Sequence, residues 1–249
     1  MPAMLKAENI HHRVATSEGP LTLLNNISLQ LARGESLAIT GASGSGKSTL
    51  LGLLAGLDKP SDGRIWLAGE EITAMDEEQR AAVRARCVGF VFQTFQLLPG
   101  LTALENVMLP SELRGERGAD KRAAEFLSRV GLEHRLHHYP RQLSGGEQQR
   151  VAIARAFCSI SNTGSEHSDG ILFADEPTGS LDAGNGEKII DLLFNLNAES
   201  GTTLVLVTHE QRLAGRCQAH LRMVAGEITA ADSASSADVL SSGNPGATA

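Results

Sequence analysis

With 249 residues, 41% of them hydrophobic and 20% charged, the chain has the composition of a globular protein and the length for one large domain or two small ones. Its 29 acidic residues against 22 basic ones leave a net charge of -7, which argues against a general nucleic-acid-binding surface. Cys87, Cys158 and Cys217 are too scattered for a disulfide framework or a zinc site, and no apolar run approaches the ~20 residues that cross a bilayer.

No charged-then-apolar leader opens the chain, so a cytoplasmic protein is expected, with any membrane role exercised through a partner. Glu8 to Val14 and Leu23 to Leu31 read as strands, with Gly19-Pro20, Arg33-Gly34 and Asp62-Gly63 as turn signals. Leu37 to Thr40 is a short buried strand, and Thr49 to Leu57 is an apolar helical run. Asp76 to Arg86 reads as a helix with acidic residues first and basic residues last, which suits its dipole. Val88 to Phe92 follows as a strand, then helices over Thr102 to Met108, Asp120 to Val130 and Gly145 to Phe157. Ile171 to Asp175 and Thr202 to Thr208 are continuous apolar strands, separated by a helix near Gly186 to Ala198. Strands apolar on both faces, alternating with helices, predict a parallel sheet covered on both sides, so the fold class is α/β with a helical insert. Ser159 to Gly170 is expected to be a surface loop, and the Ala/Ser/Gly-rich stretch 230–249 a disordered tail.

Between the third strand and the first helix, Gly41-Ala42-Ser43-Gly44-Ser45-Gly46-Lys47-Ser48 fills the phosphate-loop pattern G-x-x-x-x-G-K-[ST]. Such a loop turns several backbone N–H groups into one concavity and adds the partial positive charge of a helix N-terminus, here beginning at Thr49. Lys47 is predicted to reach the outer phosphates, and the Ser48 hydroxyl to hold Mg²⁺.

The strand Ile171 to Asp175 ends in two carboxylates, Asp175 and Glu176. An open parallel sheet delivers strand ends to the edge that carries the phosphate loop, so Asp175 is expected to help hold Mg²⁺ and Glu176 to face an attacking water. Gln93, just past its strand, offers an amide oxygen to the metal or to that water. His209, at the end of the next apolar strand, can hydrogen-bond a terminal phosphate. Leu143-Ser144-Gly145-Gly146-Glu147-Gln148-Gln149-Arg150 is a second anion site by its chemistry: a hydroxyl, two glycines that allow close backbone approach, and a helix start.

With these motifs in this order, from about Leu5 to Glu227, the chain resembles the ATP-binding subunits of ABC transporters, in which Leu143 to Arg150 is the signature motif. The finer likeness is to the MacB/LolD branch and, within it, to YbbA-like proteins. It is carried by Gly41 to Leu57, Val88 to Gln93, Leu101 to Pro110 and Phe173 to Gly179. The resemblance implies a phosphate-loop parallel-sheet core with an N-terminal antiparallel β subdomain and a helical insert, in one domain over 5–229 with the insert at about 94–158.

The resemblance further implies ATP hydrolysis with Mg²⁺ in a head-to-tail homodimer. Each ATP is then held between one phosphate loop and Ser144, Gly145, Gly146 and Glu147 of the other subunit. By position, Gln93 matches the Q-loop, Glu176 the catalytic base, Ser180-Leu181-Asp182 the D-loop and His209 the switch histidine. The implied partner is an integral-membrane permease with a periplasmic domain, contacted through Phe95, Leu97, Leu98 and Pro99, with the chain peripheral on the inner face of the membrane. His137 and His138 lack a third ligand and read as surface residues.

Two departures stand out. The family's adenine-stacking aromatic has no counterpart in His11-His12-Arg13-Val14, which leaves His12 or Arg13 as a flat face, or Val14 as apolar contact, and predicts loose base discrimination. The polar segment before the Asp175 strand is longer than the family connection. Two other readings stay open from the residues: a soluble ABC ATPase acting on nucleic acid or ribosomes, and a phosphotransferase, which leaves Leu143 to Glu147 unexplained.

Overall fold

The computed structural model describes residues 3–17, 19–160 and 170–233. In chain order these form β1 (Ala3–Thr16), β2 (Gly19–Ala32), β3 (Ser36–Gly41), α1 (Lys47–Leu54), β4 (Asp62–Leu67), β5 (Glu70–Glu71), α2 (Glu77–Cys87) and β6 (Val88–Val91). There follow α3 (Ala103–Leu113), α4 (Ala119–Arg129), α5 (Gly145–Ile160), β7 (Ile171–Asp175), α6 (Ala183–Ser200), β8 (Thr203–Val207), α7 (Gln211–Ala214), β9 (Ala219–Val224) and β10 (Glu227–Ser233).

The strands make two sheets, one antiparallel in the order β2-β1-β4-β5 and one in the order β10-β9-β3-β8-β7-β6. In the second sheet every neighbouring pair is parallel except β9 and β10. Alternation explains why its central strands are apolar throughout. Leu37, Ile39, Ile171, Phe173, Val205 and Val207 face a core shared with α1 and the antiparallel sheet. Ala38, Leu172, Ala174, Leu204 and Leu206 face the opposite core, beneath α3 to α6.

Local chemistry starts the helices where the sequence places them. Asp76 caps α2 by accepting from Gln79 N at 2.9 Å while Gln79 Oε1 accepts from Asp76 N at 3.1 Å. Thr102 and Glu105 make the same reciprocal box at α3. Helix α3 continues beyond Met108 and through Pro110, because Val107 and Ser111 are buried where it packs on α5.

Three turn expectations meet different outcomes. Arg33-Gly34 is a turn, with Gly34 at φ 74. Gly19-Pro20 instead opens β2, an edge strand where proline's missing N–H costs no ladder bond. Asp62-Gly63 opens β4, and Gly63 is required there: a Cβ would lie 2.4 Å from Asn9 O, where β1 bulges at Asn9 with φ 50. Strands β9 and β10 were not foreseen. Strand β10 reaches Ser233, so the stretch assigned to a tail from 230 begins in a strand, and 234–249 lie outside the described residues. Residues 161–169 of the expected loop also lie outside them, while Ser159 and Ile160 belong to α5. All three cysteines are buried and free of disulfides. Burial pushes the Cys87 thiol up to about 11 and the Cys217 thiol up to about 12.

Candidate functional site

The C-terminal ends of β3, β6, β7 and β8 carry Gly41 to Lys47, Gln93, Asp175 with Glu176, and His209 respectively. Gly41 stands where a Cβ would meet Met223 O at 2.4 Å and Ser45 Oγ at 2.7 Å, so only glycine lets β9 pass this close to the loop. The loop closes through Ser45 N donating to Ala42 O at 3.2 Å and Gly226 N donating to Ser45 O at 3.1 Å. Gly46 takes a left-handed turn, φ 96, and α1 begins at Lys47. Ala42, Ser43, Gly44 and Ser48 are exposed, as an anion cradle requires, and Thr49 is the third residue of the helix. Lys47 is buried and folds back to donate to Gly41 O and Ala42 O, both at 2.8 Å.

Ser48 stands close enough to Asp175 for its hydroxyl to act on the carboxyl. Burial pushes the Asp175 carboxyl up, the neighbouring Glu176 charge adds to this, and the Ser48 hydrogen bond and Lys47 oppose it. A hydroxyl close to a carboxylate, beside the lysine of an anion-binding loop, is the donor set that fits Mg²⁺.

Glu176 turns the other way. Its backbone is left-handed, φ 44, held by Glu176 N donating to Val207 O at 2.9 Å and Gly179 N donating to Glu176 O at 3.0 Å. The kink sends its carboxylate to His209, Nδ1 to Oε2 at 3.3 Å. Gln93 converges on the same place, since a Cβ on Gly179 would lie 2.9 Å from Gln93 Nε2 and 3.3 Å from Glu176 Oε2. The Ser180 hydroxyl donates to Gln93 O at 2.8 Å and so ties the two loops together.

The second anion motif starts α5. Ser144 N and Oγ both donate to Glu147 Oε2 at 2.8 Å, and Glu147 N donates to Ser144 Oγ at 3.3 Å. Those bonds, led by the backbone one, hold the Glu147 carboxyl below the usual range, and Arg135 contributes to this. Ser144, Gly145, Gly146 and Glu147 line a cavity of about 610 Å³ with Ser180 and Asp182, and no residue of the 41–48 loop joins them. Within one chain this cavity is therefore lined by the second motif and not by the 41–48 loop.

Several contributors were missed from the sequence. Gln149, fully buried, donates from Nε2 to Pro177 O at 2.7 Å. Arg155 donates to Phe95 O at 2.9 Å and Gln96 O at 2.7 Å, where both backbones are left-handed. The signal available was a polar residue inside the apolar stripe of α5. Thr178 donates to Glu210 Oε1 at 3.0 Å and joins the Glu176 loop to the His209 loop.

The expected docking residues divide. Leu98 and Pro99 are exposed, whereas Leu97 packs on the helical core and Phe95 approaches Gly145. Among the base-contact candidates, His12 is buried, so its ring offers no free face. Arg13 is exposed and Val14 half-buried.

Residues 24–179 match the family described as ABC transporter. The chain is 53% identical over 232 residues to the uncharacterized ABC transporter ATP-binding protein YbbA of Escherichia coli (strain K12), an overlap of 90% of this chain and 98% of that protein. It is 45% identical over 232 residues to the lipoprotein-releasing system ATP-binding protein LolD of Pseudomonas syringae pv. tomato (strain ATCC BAA-871 / DC3000), across 92% of this chain and 98% of that one. Its fold matches the dimeric structure of a post-hydrolysis state of the ATP-binding cassette MJ0796 bound to ADP and Pi, with a TM-score of 0.83 and 38% identity over 94% of this chain and 100% of that one.

Proposed function

The chain belongs to the ABC transporter family, in which it is an ATP-binding, ATP-hydrolysing subunit, and we propose that it powers a separate integral-membrane permease of the lipoprotein-release or macrolide-export type. It works as a homodimer of nucleotide-binding subunits in the ATP-bound state, peripheral on the inner face of the cell membrane. Among the described residues no helix is long and apolar enough to cross a membrane, so the membrane step falls to the partner. Leu98 and Pro99 are the exposed surface we assign to that contact. The domain is taken as 5–229.

The observation that supports this reading most is the convergence of Ser48 on Asp175 and of Gln93 and His209 on Glu176, at one sheet edge. In the proposed reaction Lys47 leaves the Gly41 and Ala42 carbonyls for the outer phosphates, and backbone amides of the loop take the rest. Ser48, Asp175 and Gln93 hold Mg²⁺, which when bound neutralises charge on the transferring phosphoryl group. Glu176 orients the attacking water and accepts its proton, while His209 donates to the terminal phosphate. Ser144, Gly145, Gly146 and Glu147 of the partner subunit close the other side of the nucleotide, in keeping with a cavity at this motif that no residue of the 41–48 loop lines.

The test is affinity purification of the Glu176→Gln form from gently solubilised membranes with ATP present. Recovery of a multi-spanning permease supports the reading. Recovery of ribosomes or nucleic acid instead moves the function to the soluble ATPase class.

A further inference from the structure

The hydroxyl of Ser144 has one proton, and here it is donated to Glu147. A phosphate oxygen in the 610 Å³ cavity competes for that same proton. It also meets the Glu147 carboxylate, which lines the cavity and is largely withdrawn from solvent, 17% exposed. An uncompensated anion there repels a triphosphate at short range and in reduced dielectric. Arg129, Arg150 and Lys188 also line the cavity, but the cation on the carboxylate itself comes from outside the motif: Arg135 Nε donates to Glu147 Oε1 at 3.0 Å, on the oxygen that Ser144 does not use. Arg135 is itself located by the imidazole of His138, with Nη1 and Nε2 3.2 Å apart. It comes from the segment between α4 and α5, not from α5 itself.

We propose that Arg135 is a positioning residue of the composite nucleotide site, neutralising Glu147 and holding its carboxylate so that the Ser144 hydroxyl and the α5 N-terminus can receive the partner subunit's triphosphate. The proposal rests on the composite-site reading above. It makes the family signature in this chain a four-residue device, Ser144 and Glu147 supplemented by Arg135 and His138, and assigns the acidic fifth position of the motif a cost that a neighbouring cation removes. Arg135 touches no nucleotide itself. Its influence passes through the orientation and charge of Glu147.

The test uses the full chain carrying Glu176→Gln, with dimer formation followed by analytical ultracentrifugation against ATP and Mg²⁺ concentration. Adding Arg135→Met is expected to raise the ATP concentration for half-maximal dimer by about tenfold, because a carboxylate loses a charge-assisted partner. The loss shrinks as salt rises, since half-exposed charges are screened. Arg135→Lys recovers most of it. Arg135→Met combined with Glu147→Gln returns to within roughly twofold of Glu147→Gln alone, as no charge is left to compensate. A purely structural role for Arg135 predicts no such rescue. Fluorescence of the single Trp66 monitors folding of each variant. An unchanged dimerisation curve for Arg135→Met, or a double variant as weak as Arg135→Met, overturns the proposal. A Glu176→Gln parent that stays monomeric at saturating ATP overturns the composite-site reading and this proposal with it.

Discussion

His209 Nδ1 stands 3.3 Å from Glu176 Oε2, although the two residues end different strands, β8 and β7. The pair exists because Glu176 is kinked into the left-handed region, which separates its side chain from that of Asp175 one residue earlier. Asp175 lies near Ser48 and Glu176 against His209, so the adjacent carboxylates have different partners. Glu176→Gln is expected to keep ATP binding and lose roughly 10²–10⁴ in turnover, the usual worth of a positioned base. Single-turnover hydrolysis with a filter-binding control checks this. Retention of most of the activity would show that the proton goes elsewhere.

Lys47 is expected to act on binding as well as on rate. Lys47→Ala removes the cation that reaches the phosphates and also leaves the Gly41 and Ala42 carbonyls without their donor. Affinity for ATP should fall by about tenfold to a hundredfold, the worth of a charge-assisted hydrogen bond, as read by calorimetry.

Asp175 gives a stability prediction with a definite sign. Its carboxyl is raised by burial, so the folded state holds the proton at a pH where the unfolded chain has released it. Stability therefore falls as pH rises from the unfolded value through the raised folded value, and the ionised group remains a burden at neutral pH. Asp175→Asn should raise the urea midpoint of the nucleotide-free protein at pH 7, modestly because solvent screens the half-buried group. The same change should abolish Mg²⁺-dependent turnover. A lowered midpoint would mean that the bond to Ser48 outweighs burial.

Arg155 should matter more than its distance from Glu176 implies. It holds two left-handed carbonyl positions in the segment that follows Gln93, and burial weakens the proton affinity of its guanidinium. Arg155→Met is expected to cost about 1–3 kcal/mol, measured by Trp66 fluorescence in urea. It should also lower the maximal ATPase rate of the surviving folded protein, since Gln93 loses its support.

Base selectivity should be weak. His12 is buried, which leaves Arg13 and Val14 to meet the base, and neither supplies the extra stabilisation of an aromatic stack. GTP should be turned over within roughly threefold of ATP at saturation. A competition assay in which GTP is ignored would show that another surface reads adenine.

Much of this molecule was legible in one dimension because its decisive features are local. The 41–48 loop, the capping boxes at Asp76 and Thr102, and the continuous apolar runs of β3, β7 and β8 each follow from neighbouring residues and their periodicity. Burial of a strand on both faces leaves its mark on every residue, so those strands announce themselves. Strands β9 and β10 do not: β9 buries only Ala219, Leu221 and Met223, the described part of β10 is largely exposed, and neither stands out until β3 pairs with β9 and β9 with β10. Gly19-Pro20 misleads for a related reason: only membership of an edge decides that proline fits a strand there.

For the site, residue types and spacing pointed to Lys47, Ser48, Asp175, Glu176 and Ser144 as candidates, while Gln93 and His209 gained weight only from the resemblance that the motifs together carry. Tertiary structure alone decided which of them come together: Ser48 near Asp175, His209 against Glu176, and Gln93 and Glu176 on the same side of Gly179. It also recruited Arg155 and Arg135, which no motif marks, and gave Gln149 and Thr178, which lie inside motifs, partners that the motifs do not state. The physical reason is that a hydrogen bond depends on direction and separation to within tenths of an ångström. Composition and periodicity set which faces are buried, but only the packing of helices on the sheet brings a particular donor to a particular acceptor.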